Sequence, residues 1–243
     1  MGPSGALDDL VFLALRLQTT SFILLGNICY ASFTMHKKHI ITISGKPGSG
    51  KSSTADRVAE LLGYTRHSSG DMVRRVLKRN HMTLEEYNNK ATSDHDLDDQ
   101  IDEELRALRD LEDIVVDSRL GFYWLPESFK VYLDLDIDVA TARIYQDVTN
   151  ESRRGVESGD TSLPAVAREV RGRMLAEQAR FKKLYSVDPY EKAHFDLIID
   201  TSRHNPHSVA VALFDHYKKW LETEFWEQKK SSIPLGFSYK NQY

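Results

Sequence analysis

Short apolar runs alternating with longer segments of helical period predict an α/β fold: a five-stranded parallel sheet between two layers of helices. Three observations carry this expectation. Five runs of strand length recur, at 39–44, 64–68, 114–117, 130–135 and 195–200. Three of them are rich in Ile, Val or similar residues without strict alternation, as strands buried on both faces read. A glycine-rich turn, ISGKPGSGKSS at 43–53, separates the first run from the first helical segment.

The helical segments follow in order. Segment 54–62 sets Ala55, Val58, Ala59 and Leu62 on one face. Segments 71–78, 84–89 and 98–109 form a second helical block, 139–146 and 163–185 a third, and 205–226 closes the pattern. Two stretches fall outside this core. Residues 85–113 carry twelve acidic against three basic side chains, so an exposed acidic block is expected there. Residues 149–164 are polar and hold Gly155 and Gly159, the composition of a flexible excursion. The polar tail at 228–243 is expected to fray.

Composition narrows the function classes. At 243 residues and 41% hydrophobic content the chain can bury one full core, with room for small mobile subdomains. A net charge of −4 excludes the basic footprint of a duplex binder, so no nucleic-acid partner is expected. One cysteine, Cys29, rules out an internal disulfide framework and fits a reducing, cytoplasmic setting. The nine histidines are scattered. His204 and His207 share a loop, yet with no His-Glu-x-x-His and no cysteine pair they read as solvated. Residues 1–34 differ from the rest: the apolar stretch from Leu10 to Phe33 is broken by Arg16, Gln18 and Asn27, and Asp8 and Asp9 stand where a secretory signal has basic residues. That segment is expected to be an extension outside the main fold, with the working chain beginning near Met35 and no membrane partner.

Gly45-x-x-x-x-Gly50-Lys51-Ser52 fits the phosphate-binding P-loop. Each part has a task. The backbone of Gly45, Lys46, Pro47, Gly48, Ser49, Gly50, Lys51, Ser52 and Ser53 can turn its N–H groups toward phosphate oxygens, and the following helix aims its positive end at the same anion. Lys51 adds a charge for the outer phosphates, and the Ser52 hydroxyl suits Mg²⁺. A nucleoside triphosphate is the expected ligand. No Asn-Lys-x-Asp base-recognition motif of a GTPase switch occurs; Asn88-Asn89-Lys90-Ala91 comes nearest.

A small-molecule kinase needs a second anion site facing the first. Two phosphate clusters repel at short range, so arginines should converge there. Three groups qualify. Ser69, Gly70 and Arg74 follow the second strand, and Arg119 follows the third, beyond the carboxyl ends where open α/β sheets bind ligands. Arg173, Glu177 and Arg180, spaced by four and three, share one helical face; taken alone, such a face also reads as a surface salt-bridge ladder.

The run from 40 to about 202 resembles the nucleoside monophosphate kinases, and among them the compact cytidylate kinases. Ser69-Gly70-Asp71-Met72-Val73-Arg74 is similar to the segment whose arginine grips the monophosphate in adenylate kinases. Asp117-Ser118-Arg119 resembles the Gly-Arg signature of cytidylate kinases, with Ser118 in the glycine position. Arg173, Glu177 and Arg180 resemble that family's Arg-x-x-x-Asp-x-x-Arg triplet, with Glu177 in the Asp position. Tyr185-Ser186-Val187-Asp188 and the run from Phe195 to Ser202 look like its closing segment.

The resemblance implies a P-loop kinase domain over 35–227, with a mobile acceptor-binding subdomain near 71–112 and a lid near 149–165. It implies ATP and Mg²⁺, phosphorylation of CMP or dCMP within pyrimidine nucleotide metabolism, and a monomer. Lys51, Arg119, Arg173 and Arg180 would be catalytic, and Ser52 with Asp117 would serve the metal; Asp117 reads equally as a carboxylate capping a turn. Ser69, Gly70, Arg74, Arg119, Arg173, Glu177 and Arg180 would bind the acceptor, with Arg153 or Arg154 closing from the lid. The alternatives are another acceptor (UMP, AMP or a non-nucleotide alcohol) and a nucleotide-binding regulatory module without transferase activity.

Overall fold

The computed structural model describes residues 22–25, 28–31, 37–83, 86, 96–149, 162–231 and 233. The chain divides into two compact units, Met1–Lys37 and Lys38–Tyr243. In the first, β1 (Phe22–Leu25) and β2 (Ile28–Ala31) pair antiparallel, with Leu25 opposite Ile28. In sequence, the Gly-Asn pair at 26–27 is a two-residue hairpin signal inside an otherwise apolar stretch.

The second unit is built on β3 (Ile40–Gly45), β4 (Thr65–Ser68), β5 (Ile114–Asp117), β6 (Phe129–Asp134), β7 (Leu197–Asp200) and β8 (Lys229–Ser231). They form one sheet in the order β4-β5-β3-β6-β7-β8, parallel throughout. Its helices are α1 (Lys51–Leu62), α2 (Ser69–Arg79), α3 (Asp96–Ala107), α4 (Gly121–Trp124), α5 (Ile137–Thr149), α6 (Leu163–Tyr185) and α7 (Pro206–Glu222). The expected α/β layering is present.

Strand β3 shows why these sequences read as doubly buried. Ile41 and Ile43 face α1 and α7, packing with Val58, Leu213 and Tyr217. Ile40 faces the other way and joins Met72, Val76, Leu97 and Leu105 of α2 and α3. All three isoleucines are essentially fully buried. The sheet order reverses direction around β3, so the crevice at its carboxyl end is where a ligand of such a sheet binds.

Three expectations need correction. The sheet has six strands, not five, and the tail expected to be flexible from residue 228 supplies the sixth. Its sequence, Lys229-Lys230-Ser231, carries no apolar pattern; an edge strand needs little beyond backbone pairing, here to β7 and through Lys229 N–H to the Asp196 carbonyl at 2.9 Å. Trp226 and Ile233 anchor its two ends on the core.

The acidic block is not simply exposed. Leu97, Ile101 and Leu105 of α3 join the core, and Asp98 and Asp102 are each only 4% exposed, because a spacing of four carries them round to the α6 side. Asp98 pairs with Arg180, and the Tyr185 hydroxyl donates to Asp102 at 2.7 Å. Finally, the short helix α4 carried no periodic signal. The expected helix at 84–89, apart from residue 86, and the lid between 150 and 161, with Arg153 and Arg154, lie outside the described residues.

Removing residues 228–243 should therefore lower the melting temperature by about 5 °C or more, from lost burial of Ile233 and an unpaired β7 edge. Differential scanning calorimetry checks this, and an unchanged transition would show that β8 adds nothing to the fold.

Candidate active site at the carboxyl ends of the strands

The glycine-rich turn leaves β3 against the backbone of β6. Gly45 has φ +149°, and a Cβ there would come within 2.3 Å of the Leu133 carbonyl oxygen, so no other residue fits. Gly50 ends the turn in the left-handed region, φ 81°, and starts α1. That helix begins with no side-chain cap and no acidic residue in its first turn. Its first N–H groups and positive dipole end are left for an anion.

Lys51 stands at this helix start. Burial pushes its ammonium down to about 7, Arg119 and Arg173 push the same way, and Asp117 and Glu177 oppose them. An ammonium in this state gains strongly from an arriving phosphate. The neighbouring Ser52 hydroxyl donates to Asp117 at 2.7 Å, and Arg66 from β4 reaches the same carboxylate at 3.1 Å while also pairing with Asp56. Asp117 is therefore bound up with the phosphate loop rather than capping a turn. A hydroxyl beside a carboxylate is a hard-oxygen pair that fits Mg²⁺ completing its shell with water and phosphate oxygens. Among the described residues no group of three or more His, Cys, Asp or Glu side chains is placed to hold a metal ion.

Beside Lys51 lies a cluster centred on Glu177. Arg119 donates through Nε to Glu177 Oε2 and through Nη1 to the Gly45 carbonyl, both at 2.7 Å. Arg173 donates through Nε to Glu177 Oε1 at 3.1 Å, and the Tyr190 hydroxyl donates to Oε2 at 2.7 Å. Burial would raise the Glu177 carboxyl, but Arg119 and Arg173 outweigh it and hold the group at about 2. Burial likewise works against the charge of Arg119, and Glu177 more than offsets it, so that guanidinium stays charged.

The remaining sequence-predicted residues are placed differently. Arg180 shares the α6 face but is held by Asp98. Arg74 is exposed and pairs with Asp71 on its own helix, turned back over Gly70 at the start of α2 with Ser69. The Lys46 side chain points to Asp134 and to the Leu135 carbonyl, both at 2.8 Å, leaving its backbone to the phosphate loop.

Sequence reasoning missed several groups. Arg143 of α5 donates to the carbonyls of Thr201 (2.6 Å), Ser202 (3.3 Å), His204 (3.3 Å) and Gly48 (3.4 Å), stitching the loop after β7 to the phosphate loop. Beside it lies a cavity of about 220 Å³ lined by Gly48, Ser53, Arg143, Gln146, His204 and Asn205 among others. His204, read as solvated, is part of that wall. Nothing in local spacing marks Arg143, whose partners are backbone atoms far along the chain. Tyr190 and Arg66 were equally silent, although Tyr190 lies just beyond the closing-segment residues 185–188.

A family model described as the cytidylate kinase-like family matches residues 40–203. The chain belongs to that family. The cytidylate kinase of Halobacterium salinarum is 32% identical over 179 residues, 72% of this chain and 88% of that protein. The S-adenosylmethionine-dependent nucleotide dehydratase of Lacinutrix mariniflava is 30% identical over 181 residues, 74% of this chain but 36% of that longer protein. Among solved structures, the shikimate kinase of Bacteroides thetaiotaomicron has a TM-score of 0.50 and 14% identity, covering 76% of this chain and 98% of that one, a likeness of fold alone. The protein is thus a phosphotransferase of the nucleoside monophosphate kinase type, and the family implies ATP as phosphoryl donor. Among the described residues no helix is long and apolar enough to cross a membrane.

The state of Lys51 makes a pH prediction. Its proton is partly lost near pH 7 in the protein alone and recovered when phosphate charge arrives, so ATP binding at pH 8 should take up close to one proton. Affinity should therefore fall as pH rises above about 7. Calorimetry in buffers of different ionisation enthalpy reads the uptake directly. In Lys51→Ala it should vanish and transfer should drop at least about 10³-fold; uptake that persisted would assign the proton elsewhere.

Proposed function

We propose that the protein transfers the γ-phosphoryl group of ATP to CMP or dCMP, giving ADP and CDP or dCDP. The observation that carries this is the Arg119–Glu177–Arg173 cluster beside Lys51: an anion cradle next to preassembled guanidinium groups. The names of the relatives support cytidine as the base.

An oxygen of the acceptor phosphate attacks the γ-phosphorus as the bond to the β,γ-bridging oxygen breaks, and ADP leaves with the electron pair. The acceptor is already anionic, so no general base is required, and catalysis rests on alignment and charge. Lys51 and the first N–H groups of α1 hold the transferring group. Ser52 and Asp117 would hold Mg²⁺, which would supply neutralisation of phosphate charge. Arg119, with two donors fixed, presents the rest of its fork to the acceptor phosphate. Arg173, largely exposed, closes from α6. Arg74 and Arg180 take part by exchanging Asp71 and Asp98 for substrate. The cavity beside Arg143 would receive the base of ATP.

In this reading the region near 71–112 is the acceptor side, 149–165 the lid, and residues 1–34 lie outside a catalytic domain that works as a cytoplasmic monomer. A second reading has one observation behind it: the likeness to the dehydratase shows a related segment within a larger protein of other chemistry. A nucleotide-binding module without transferase activity would release no ADP.

Measuring ADP release with CMP, dCMP, UMP and AMP in turn separates these readings. CMP and dCMP should be turned over best; a preference for AMP or UMP would sink the base assignment, and no release with any would sink the kinase reading. In Arg119→Ala the acceptor KM should rise about 10- to 100-fold, as for loss of a charged hydrogen bond. The ATP KM should rise less, through the freed Gly45 carbonyl.

A further inference from the structure

The Glu177 carboxylate is spoken for. Arg119 and Tyr190 share Oε2, and Arg173 takes Oε1. Two of these donors bring charge and belong to the expected site. The third is a neutral phenol on the loop between α6 and β7, and the chemistry of transfer gives it no task.

That loop is built to deliver it. Asp188 accepts from the Gln178 side chain at 2.6 Å and from the Tyr190 backbone N–H at 2.9 Å, so one carboxylate folds the loop and pins it to α6 beside Glu177. Tyr190 is half-buried and packs against the apolar cluster that contains Leu120, Phe122 and Phe195. Burial raises its hydroxyl well above the ordinary tyrosine range, so it remains a proton donor wherever the enzyme works.

A glutamate side chain has three rotatable bonds, and one guanidinium alone could follow it through several of its positions. A second donor to Oε2 from a rigid loop leaves one rotamer that satisfies all three partners. Arg119 is then fixed at Nε by Glu177 and at Nη1 by Gly45, and its Nη2 has no hydrogen-bond partner among the described residues. We propose that Tyr190 is a positioning residue for phosphoryl transfer: it locks Glu177, and through Glu177 it sets the Arg119 guanidinium that meets the acceptor phosphate. This rests on the kinase reading of the same site.

The test is a double-mutant cycle on the full chain with CMP as acceptor. Tyr190→Phe keeps the ring and its packing and removes only the hydroxyl. It should lower kcat/KM for CMP about tenfold, the scale of one hydrogen bond to a charged group, while the ATP KM stays within about twofold. In a Glu177→Ala background the same change should have almost no effect, because no carboxylate remains to be held. Asp188→Asn, which loosens the loop without touching the phenol, should reproduce the acceptor-side loss in the wild-type background and not in Glu177→Ala. Full activity in Tyr190→Phe would overturn the proposal, as would losses that multiply independently in the double variant or fall equally on ATP and CMP. Failure of the kinase reading looks different: the wild-type chain itself would release no ADP with any monophosphate.

Discussion

Lys51, Arg119 and Arg173 gather around one carboxylate, the half-buried Glu177, which makes that crowding tolerable. Without it, Arg119 and Lys51 would face each other with little solvent between them, and Lys51 would give up its proton still more readily than it already does. With it, two guanidinium groups are held beside a lysine that has lost much of its hold on its own proton. The described side chains leave this cluster with more positive than negative charge, the condition that would favour an arriving phosphate.

The fold supplies this arrangement by topology. Phosphate loop, Asp117 and Arg119 all follow strands that end at the same edge of a parallel sheet, with β3 at the point where the order reverses. Glu177 and Arg173 come from a helix more than fifty residues further along, and only its packing on the opposite face brings them over that edge. Arg143 performs a parallel task behind the phosphate loop, tying four backbone carbonyls into one wall. In both places a guanidinium joins segments that no strand or helix joins.

Other cations around the site are paired with carboxylates. Arg74 rests on Asp71, Arg180 on Asp98 and Lys46 on Asp134. The pairing of Arg180 is the most informative, because Asp98 belongs to α3 and both side chains are largely withdrawn from water. Helix α3 is thereby docked on α6 through polar contacts, Arg180 to Asp98 and Tyr185 to Asp102.

Local order determined what was legible in the residues alone. The strands of the central sheet announce themselves because burial on both faces demands unbroken apolar runs, and Gly45, Gly50, Lys51 and Ser52 form a compact motif because a phosphate is bound by consecutive backbone groups. Arg173, Glu177 and Arg180 were visible as a helical face, but not that Glu177 would turn inward to Arg119 while Arg180 went to Asp98. Edge strand β8, the burial of Asp98 and Asp102, and the parts taken by Arg143, Arg66 and Tyr190 depend on contacts between residues far apart in the chain. Their energies come from hydrogen bonds to backbone atoms and buried charges, which impose no spacing on neighbouring residues. Only the folded chain decides them.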